Sequence, residues 1–384
     1  LEGRDGGHVE GHNVYGMQMN RAGFDALGKY WGNPGEEGRK PHPSTALETD
    51  SSRGEVISRS PERQTKGQDA ETKERKRPWI VSRSGWVGNQ RYAWNWTGDS
   101  ESSWAAMRMT VGQVLNMGLS GQPFTGPDIG GFSGEPGAEL FVRWFQMAAF
   151  MPFFRVHSAK GTSPREPWVY GEEVLGICRE FMKLRERLMP YLYTLAWEAS
   201  QTGAPVCRPL FWLEDPLTPQ PPLPAGEGER LPSPRGRRVG DEGELWGVDE
   251  VFLLGNALLI APVLELGAKL KRIPLTSDRW YNFWRDDVLD DSDFVESRVT
   301  LDRIPVLVRG GSILPMAEGG GLTLHVYPDR EGRASGVVYS DAGEGYGAWR
   351  VDRFVWEDGT LRKEEEGEFE WMWGEVRVEV HGVS

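Results

Sequence analysis

An α/β region followed by an all-β region is the fold class this sequence predicts, and three observations predict it. Between residues 78 and 189, short apolar runs alternate with segments whose apolar residues recur every three or four positions. Each of those short runs ends in a polar or charged residue: Arg83, Asp99, Asp128 and His157 in turn. From about residue 246 the pattern changes to short strand-like runs separated by Gly, Pro and Asp.

The elements follow in order. In residues 12–31, Val14, Met17, Arg21 and Phe24 fall at helical intervals, which predicts a helix that covers a core. "PWIVSRSGW" (78–86) reads as a short buried strand and "YAWNWTG" (92–98) as a second. The stretch 102–121 places Trp104, Met107, Val111, Val114 and Leu115 on one helical face and ends in Gly. "QPFTGPDIGGF" (122–132) reads as a strand running into a Gly-rich loop; 138–151 is a helix and "PFFRVHS" (152–158) a fourth strand. Val174, Cys178, Phe181, Leu184 and Leu188 mark the helix 172–189, with Pro190 as its kink or stop. This rhythm indicates parallel βα units, in a barrel or an open sheet. The later runs, among them "VFLLGNALLIAPVLE", "IPVLVRGGSILPM" and "EVRVEVHG", predict a β-sandwich region.

Two stretches break the pattern. Residues 34–77 are Pro, Ser, Thr and charge with almost no large apolar side chain, the composition of a disordered insertion. Residues 216–243 are rich in Pro, Gly and Arg and read as a low-complexity surface insertion, or as a Pro-rich recognition arm. The division that results is 1–215 for the α/β part, 216–243 for the insertion and 244–384 for the all-β part.

Composition narrows the function. A net charge of −13 disfavours nucleic-acid binding, and no run approaches the ~20 apolar residues of a membrane span. Two cysteines, Cys178 and Cys207, cannot build a disulfide framework. The six histidines show no HExxH or HxH spacing, which argues against a histidine metal site. Seventeen tryptophans suit a protein that stacks flat apolar faces such as sugar rings, and equally one that fills large cores. The opening "LEGRDGGHVEGHNVYG" has neither an initiator Met nor a targeting pattern and reads as the interior of something longer, so it indicates no compartment.

"RYAWNWTGDS" (91–100) poses the sharpest question. Thr-Gly-Asp-Ser is a good turn and helix-entry sequence, since Gly accepts unusual dihedrals and Asp or Ser caps free N–H groups. It is equally a way of holding Asp99 at a strand end for proton chemistry. Any single polar strand end can be a cap. Four in succession point to a catalytic face, because the C-terminal ends of parallel strands converge on one side of the sheet.

Seven stretches together resemble the C-terminal part of retaining α-glycosidases of glycoside hydrolase family 31. They are "HNVYGMQMNRAGFDAL", "RPWIVSRSGWVGNQRYAWNWTGD", "GQPFTGPDIGGF", "ELFVRWFQMAAFMPFFRVHS", "GAPVCRPLFW", "LLGNALLIAPV" and "IPVLVRGGSILP", in the family's order across nearly the whole chain. The resemblance implies the second half of a (β/α)8 barrel followed by β-sandwich domains. It implies Asp99 as general acid/base in a W-x-G-D motif, although Ser100 replaces the usual Asn. It further implies Arg83, Trp96, Asp128 and His157 as sugar contacts, with Phe132 an aromatic at the pocket edge. No metal and no organic cofactor is implied; the expected partner is an α-linked oligosaccharide or glycoside.

One departure matters for the chemistry. The family's nucleophile is an Asp in a W-x-D-M-N-E type motif on the fourth barrel strand, and no such motif occurs in these 384 residues. A retaining glycosidase needs two carboxyl groups about 5–5.5 Å apart. The chain alone is therefore expected to be inactive, and three readings follow. It is a C-terminal part of an α-glucosidase-like hydrolase, a non-catalytic sugar-binding or decayed form, or a chain that docks with a separately encoded N-terminal half. Within the family, α-xylosidase, sulfoquinovosidase and transglycosylase activities are alternatives to α-glucosidase. Arg83 is expected beside the nucleophile and the sugar hydroxyls rather than on Asp99, because an acid at rest must carry a proton.

Overall fold

Four short parallel strands side by side organise the first half of the protein, a computed structural model that describes residues 8–30, 76–213, 248–276, 278–289 and 294–382. The backbone hydrogen bonds give their order. Trp94 N donates to Ile80 O at 2.8 Å and Ser82 N to Trp94 O at 2.9 Å, joining the first strand to the second. Asn95 N and Thr97 N donate to Phe124 O and Gly126 O, joining the second to the third. Asp128–Ile129 then pairs in parallel with Arg155–Val156. Chain order and spatial order coincide, as they do in a (β/α)8 barrel. Gly126 permits the close approach of the last two strands, since a Cβ there would lie 2.0 Å from Phe153 O.

Helices cover this sheet. Helix α1 (His8–Tyr30) docks through Asn20, whose amide donates to Asn89 Oδ1 at 2.7 Å and to Ser84 O at 3.0 Å. Between the first two strands stands only a 3-10 turn, Asn89–Arg91. Helix α2 (Trp104–Leu119) starts at Ser103, whose Oγ accepts from Ala106 N. Helix α3 (Ala138–Ala148) is buried throughout from Leu140 to Ala148, its polar Arg143 and Gln146 included. Helix α4 (Glu172–Arg187) ends just before Pro190, and α5 (Met189–Thr202) begins there with Pro190 in its first turn.

The all-β part holds two six-stranded sheets and a two-stranded ribbon, Leu270–Pro274 with Phe294–Arg298. The first sheet runs Cys207–Arg208, Phe252–Leu254, Leu258–Ile260, Val306–Arg309, Trp280–Asn282, Val288–Leu289, all antiparallel. The second runs Thr360–Gly367, Trp349–Glu357, Ala334–Asp341, Ser312–Glu318, Gly321–Tyr327, Val376–Val380. One apolar core spans both regions: Met107, Phe141, Trp144 and Phe181 from the helices join Phe252, Leu258, Val306 and Leu314 from the sheets. Arg143 and Gln146 of α3 reinforce the junction by donating to the carbonyls of Thr300, Arg303 and Leu301 at 2.8–3.0 Å.

Two boundaries of the expected division reach described residues. The insertion predicted at 34–77 lies outside the described residues except for its last two, and Arg77 is firmly placed. Its guanidinium donates to Asp341 Oδ2 at 2.6 Å, Tyr193 Oη at 2.7 Å and Gly345 O at 2.6 Å. Composition cannot reveal a carboxylate supplied from 264 residues away. The all-β region, drawn from 244, takes its first strand at Cys207–Arg208, on the near side of the stretch 216–243. That stretch itself lies outside the described residues.

Candidate active site

The ends of the four parallel strands carry the residues singled out above. Gly98 has φ +84°, a left-handed turn that lets the chain swing Asp99 off the second strand. The loop it opens is stitched to the Gly-rich loop of the third strand: Phe132 N and Ser133 N both donate to Ser100 O, and Ser102 N donates to Ser133 O. Ser103, not Asp99 or Ser100, caps α2, so helix entry does not account for Asp99. Its carboxylate instead accepts from Arg83 Nη1 at 3.0 Å, with both side chains well exposed. This corrects the expectation that Arg83 stands away from Asp99. The first two strands are neighbours, and their polar ends meet; among the described residues no other carboxylate reaches Arg83.

Asp128 stands in a different environment. It is fully buried, and its Oδ1 accepts from Arg155 Nη2 at 2.5 Å and Nε at 3.2 Å. The parallel register places the two residues directly opposite each other. Asp128 Oδ2 has no hydrogen-bond partner among the described residues. Burial pushes the Asp128 carboxyl above the ordinary carboxylate range, against the opposing pull of Arg155 and His157. Arg155 also lies over the Trp96 ring at 5.2 Å, and Trp96 Nε1 is a second buried polar atom in this region without a partner among the described residues. At the rim the rings of Phe132 and His157 are 5.4 Å apart, with His157 exposed.

Arg83 and Asp99 thus meet directly, Trp96 and Asp128 meet through Arg155, and Phe132 meets His157. Two residues escaped sequence reasoning. Arg155 lies inside the quoted "FFRVHS", two positions before His157, and an arginine ending a strand was the available signal. Arg165 is buried and donates to the carbonyls of Gly131 and Gly134, which holds the Gly-rich loop in shape. Nothing in its loop sequence marks it.

A hollow of about 610 Å³ beside these residues is lined by Trp79, Val81, Trp94, Phe153 and Arg155 from the barrel strands and by Arg185 of α4. Another, of about 640 Å³, lies between α4 and the all-β region and contains none of the predicted site residues. The chemistry follows the polar atoms and not the larger cavity. Among the described residues, the histidines omitted from the site are not all scattered: His325 and His381, with Glu379, bring ligand atoms within 4.8 Å of one another. Spacing along the chain argued against such a group; strand pairing assembles it.

Comparison with known proteins agrees with this architecture. Residues 2–195 match the family model "Glycosyl hydrolases family 31 TIM-barrel domain", and residues 203–314 the "Glycosyl hydrolase family 31 C-terminal domain". The chain is 33% identical over 277 residues to Alpha-glucosidase 2 of Bacillus thermoamyloliquefaciens, covering 70% of this chain and 32% of the relative. It is 33% identical over 302 residues to Neutral alpha-glucosidase C of Mus musculus, covering 74% and 30% respectively. The solved structure of a glucosidase II alpha subunit with bound alpha3-Glc2 superposes with a TM-score of 0.75 at 26% identity, over 98% of this chain and 37% of that one. The chain therefore spans about a third of the length of these relatives. With four parallel strands in barrel order, an all-β region behind them and family models matching both parts, the chain belongs to glycoside hydrolase family 31.

Proposed function

We propose that this chain carries the acid/base side of a retaining α-glucosidase-like site. The observation that supports it most is the gathering of Asp99, Arg83, Trp96, Asp128, Arg155 and His157 at one end of four adjacent parallel strands. In this reading Asp99 gives its proton to the leaving glycosidic oxygen while a second carboxylate attacks the anomeric carbon. Asp99 then takes a proton from the water that releases the sugar. The Arg83 contact suits Asp99 after the proton has gone; before that step Arg83 needs another anion, and the attacking carboxylate is the one the mechanism supplies. Asp128 Oδ2 and Trp96 Nε1, left without partners, are an acceptor and a donor for sugar hydroxyls. Phe132 and His157 bound the sugar at the rim.

The second carboxylate belongs to the strands that complete the barrel in the family, and the proposal needs a polypeptide that supplies them. The hollow lined by Trp79 and Trp94 and the 60% exposure of Trp79 favour a covering partner. The domain division that goes with this reading is a half-barrel up to about Gly203 and an all-β region beyond. The resting Arg83–Asp99 pair favours a second reading, a sugar-binding form without catalysis.

Hydrolysis of 4-nitrophenyl α-glucoside separates the two. The chain is expected to be inactive alone and active when mixed with a segment bearing the W-x-D-M-N-E motif. Asp99→Ala is expected to lower that activity by about 10²–10⁴-fold. Sugar binding with no cleavage under any pairing sinks the catalytic reading.

A further inference from the structure

The second sheet places two imidazoles face to face. Gly321–Tyr327 pairs in parallel with Val376–Val380, setting His325 opposite Glu379, and His381 follows at the end of the same strand. His325 Nδ1 lies 3.0 Å from His381 Nε2 and 3.7 Å from Glu379 Oε2. The outer nitrogens each meet a carboxylate: His325 Nε2 is 3.3 Å from Glu318 Oε2, and His381 Nδ1 is 2.9 Å from Asp286 Oδ1. Tyr327 stacks on His381 with centroids 4.1 Å apart and fixes that ring.

The row Asp286–His381–His325–Glu318 has three contacts, and each needs a proton to be attractive. Two neutral imidazoles bring only two. If both outer nitrogens donate to their carboxylates, two bare lone pairs confront each other at 3.0 Å. A third proton or a metal ion has to lie between them.

We propose that His325 Nδ1, His381 Nε2 and the Glu379 carboxylate bind a divalent transition-metal ion, with Glu318 and Asp286 orienting the two rings. Imidazole nitrogens favour zinc and its neighbours over calcium or magnesium. Carboxylates on the far side of both rings are the usual support for metal-bound histidine. With zinc–nitrogen bonds of about 2.0–2.1 Å in a tetrahedral site, the two nitrogens stand about 3.3 Å apart, so the rings need to open by roughly 0.3 Å. Three protein ligands leave a position for water. The ion clips the second sheet to the turn that carries Asp286 in the first. Through Glu318 it also reaches Arg187 on α4. The site shares no residue with the Asp99 set and does not depend on the glycosidase reading.

The test is metal titration of the full chain after treatment with a chelator. Cobalt(II) followed by visible absorption, then displaced by zinc(II), is expected to report one equivalent bound. His325→Ala is expected to abolish uptake. Glu379→Gln, on an exposed position, is expected to weaken it without loss of the circular-dichroism signature of the fold. Asp286→Asn is expected to weaken it about 10–100-fold. His42→Ala is expected to leave it unchanged. No uptake of either ion overturns the proposal and leaves a shared proton between the rings. Uptake that survives both His325→Ala and Glu379→Gln, or that disappears in His42→Ala, overturns it equally.

Discussion

Two arginine–aspartate pairs stand at the ends of the parallel strands, and they differ in almost everything but composition. Arg83 and Asp99 meet at the rim with side-chain exposures of 60% and 41%, through one hydrogen bond. Arg155 and Asp128 meet in the floor, where the aspartate is fully buried and accepts twice from the guanidinium. The first pair is cheap to separate, because water replaces each partner. The second is not, because Asp128 has no access to water. In the proposed reading, a site that holds a sugar and also moves a proton uses both kinds: a fixed floor for position and a loose rim for change.

The largest effect should come from the floor. Arg155→Ala leaves a buried carboxylate without its cation, and urea unfolding is expected to show a loss of about 3 kcal/mol. A loss below ~1 kcal/mol, the range of exposed pairs, would erase the distinction between floor and rim.

A smaller effect should appear in the pH dependence. The folded Asp128 carboxyl is raised by burial, so between the unfolded value and that raised value the native state binds more protons than the unfolded chain. Asp128 therefore contributes a stability that declines as pH rises through this window. Stability measured against pH for wild type and Asp128→Asn should differ by a curve of that sign. The opposite sign would mean that Arg155 dominates and the buried carboxyl is lowered.

The smallest effect belongs to the rim. Arg83→Ala is expected to change stability by about 0–1 kcal/mol, the range of exposed ion pairs. A cost like that of Arg155→Ala would place the first pair, too, among the fixed elements.

This contrast bears on what could be read from the chain itself. The strands and helices were legible because their signals are local: the apolar period of 172–189, the Ser before Trp104, the proline that divides α4 from α5. The strand-end residues were legible because chain order and sheet order coincide. Arg155 and Arg165 were not, because their roles are defined by partners 27 to 34 residues away that only the register selects. Arg77 lay hidden in a polar stretch, since its carboxylate comes from the far sheet. His325 and His381 are 56 residues apart and meet because two strands pair in parallel, an arrangement with no short-range signature.

The seam formed by Arg143 and Gln146 sets a limit on modularity. Their donors end on three carbonyls of a loop in the all-β region, in the middle of an apolar core that both regions share. Cutting the chain between α5 and Cys207 would strand those carbonyls and expose half of that core on each piece. The barrel strands are few and short, and they keep their spacing because a larger β-sheet body stands behind α3. In engineering terms the all-β region is the chassis, and the strand-end face that carries the proposed site cannot be lifted from it as a cassette.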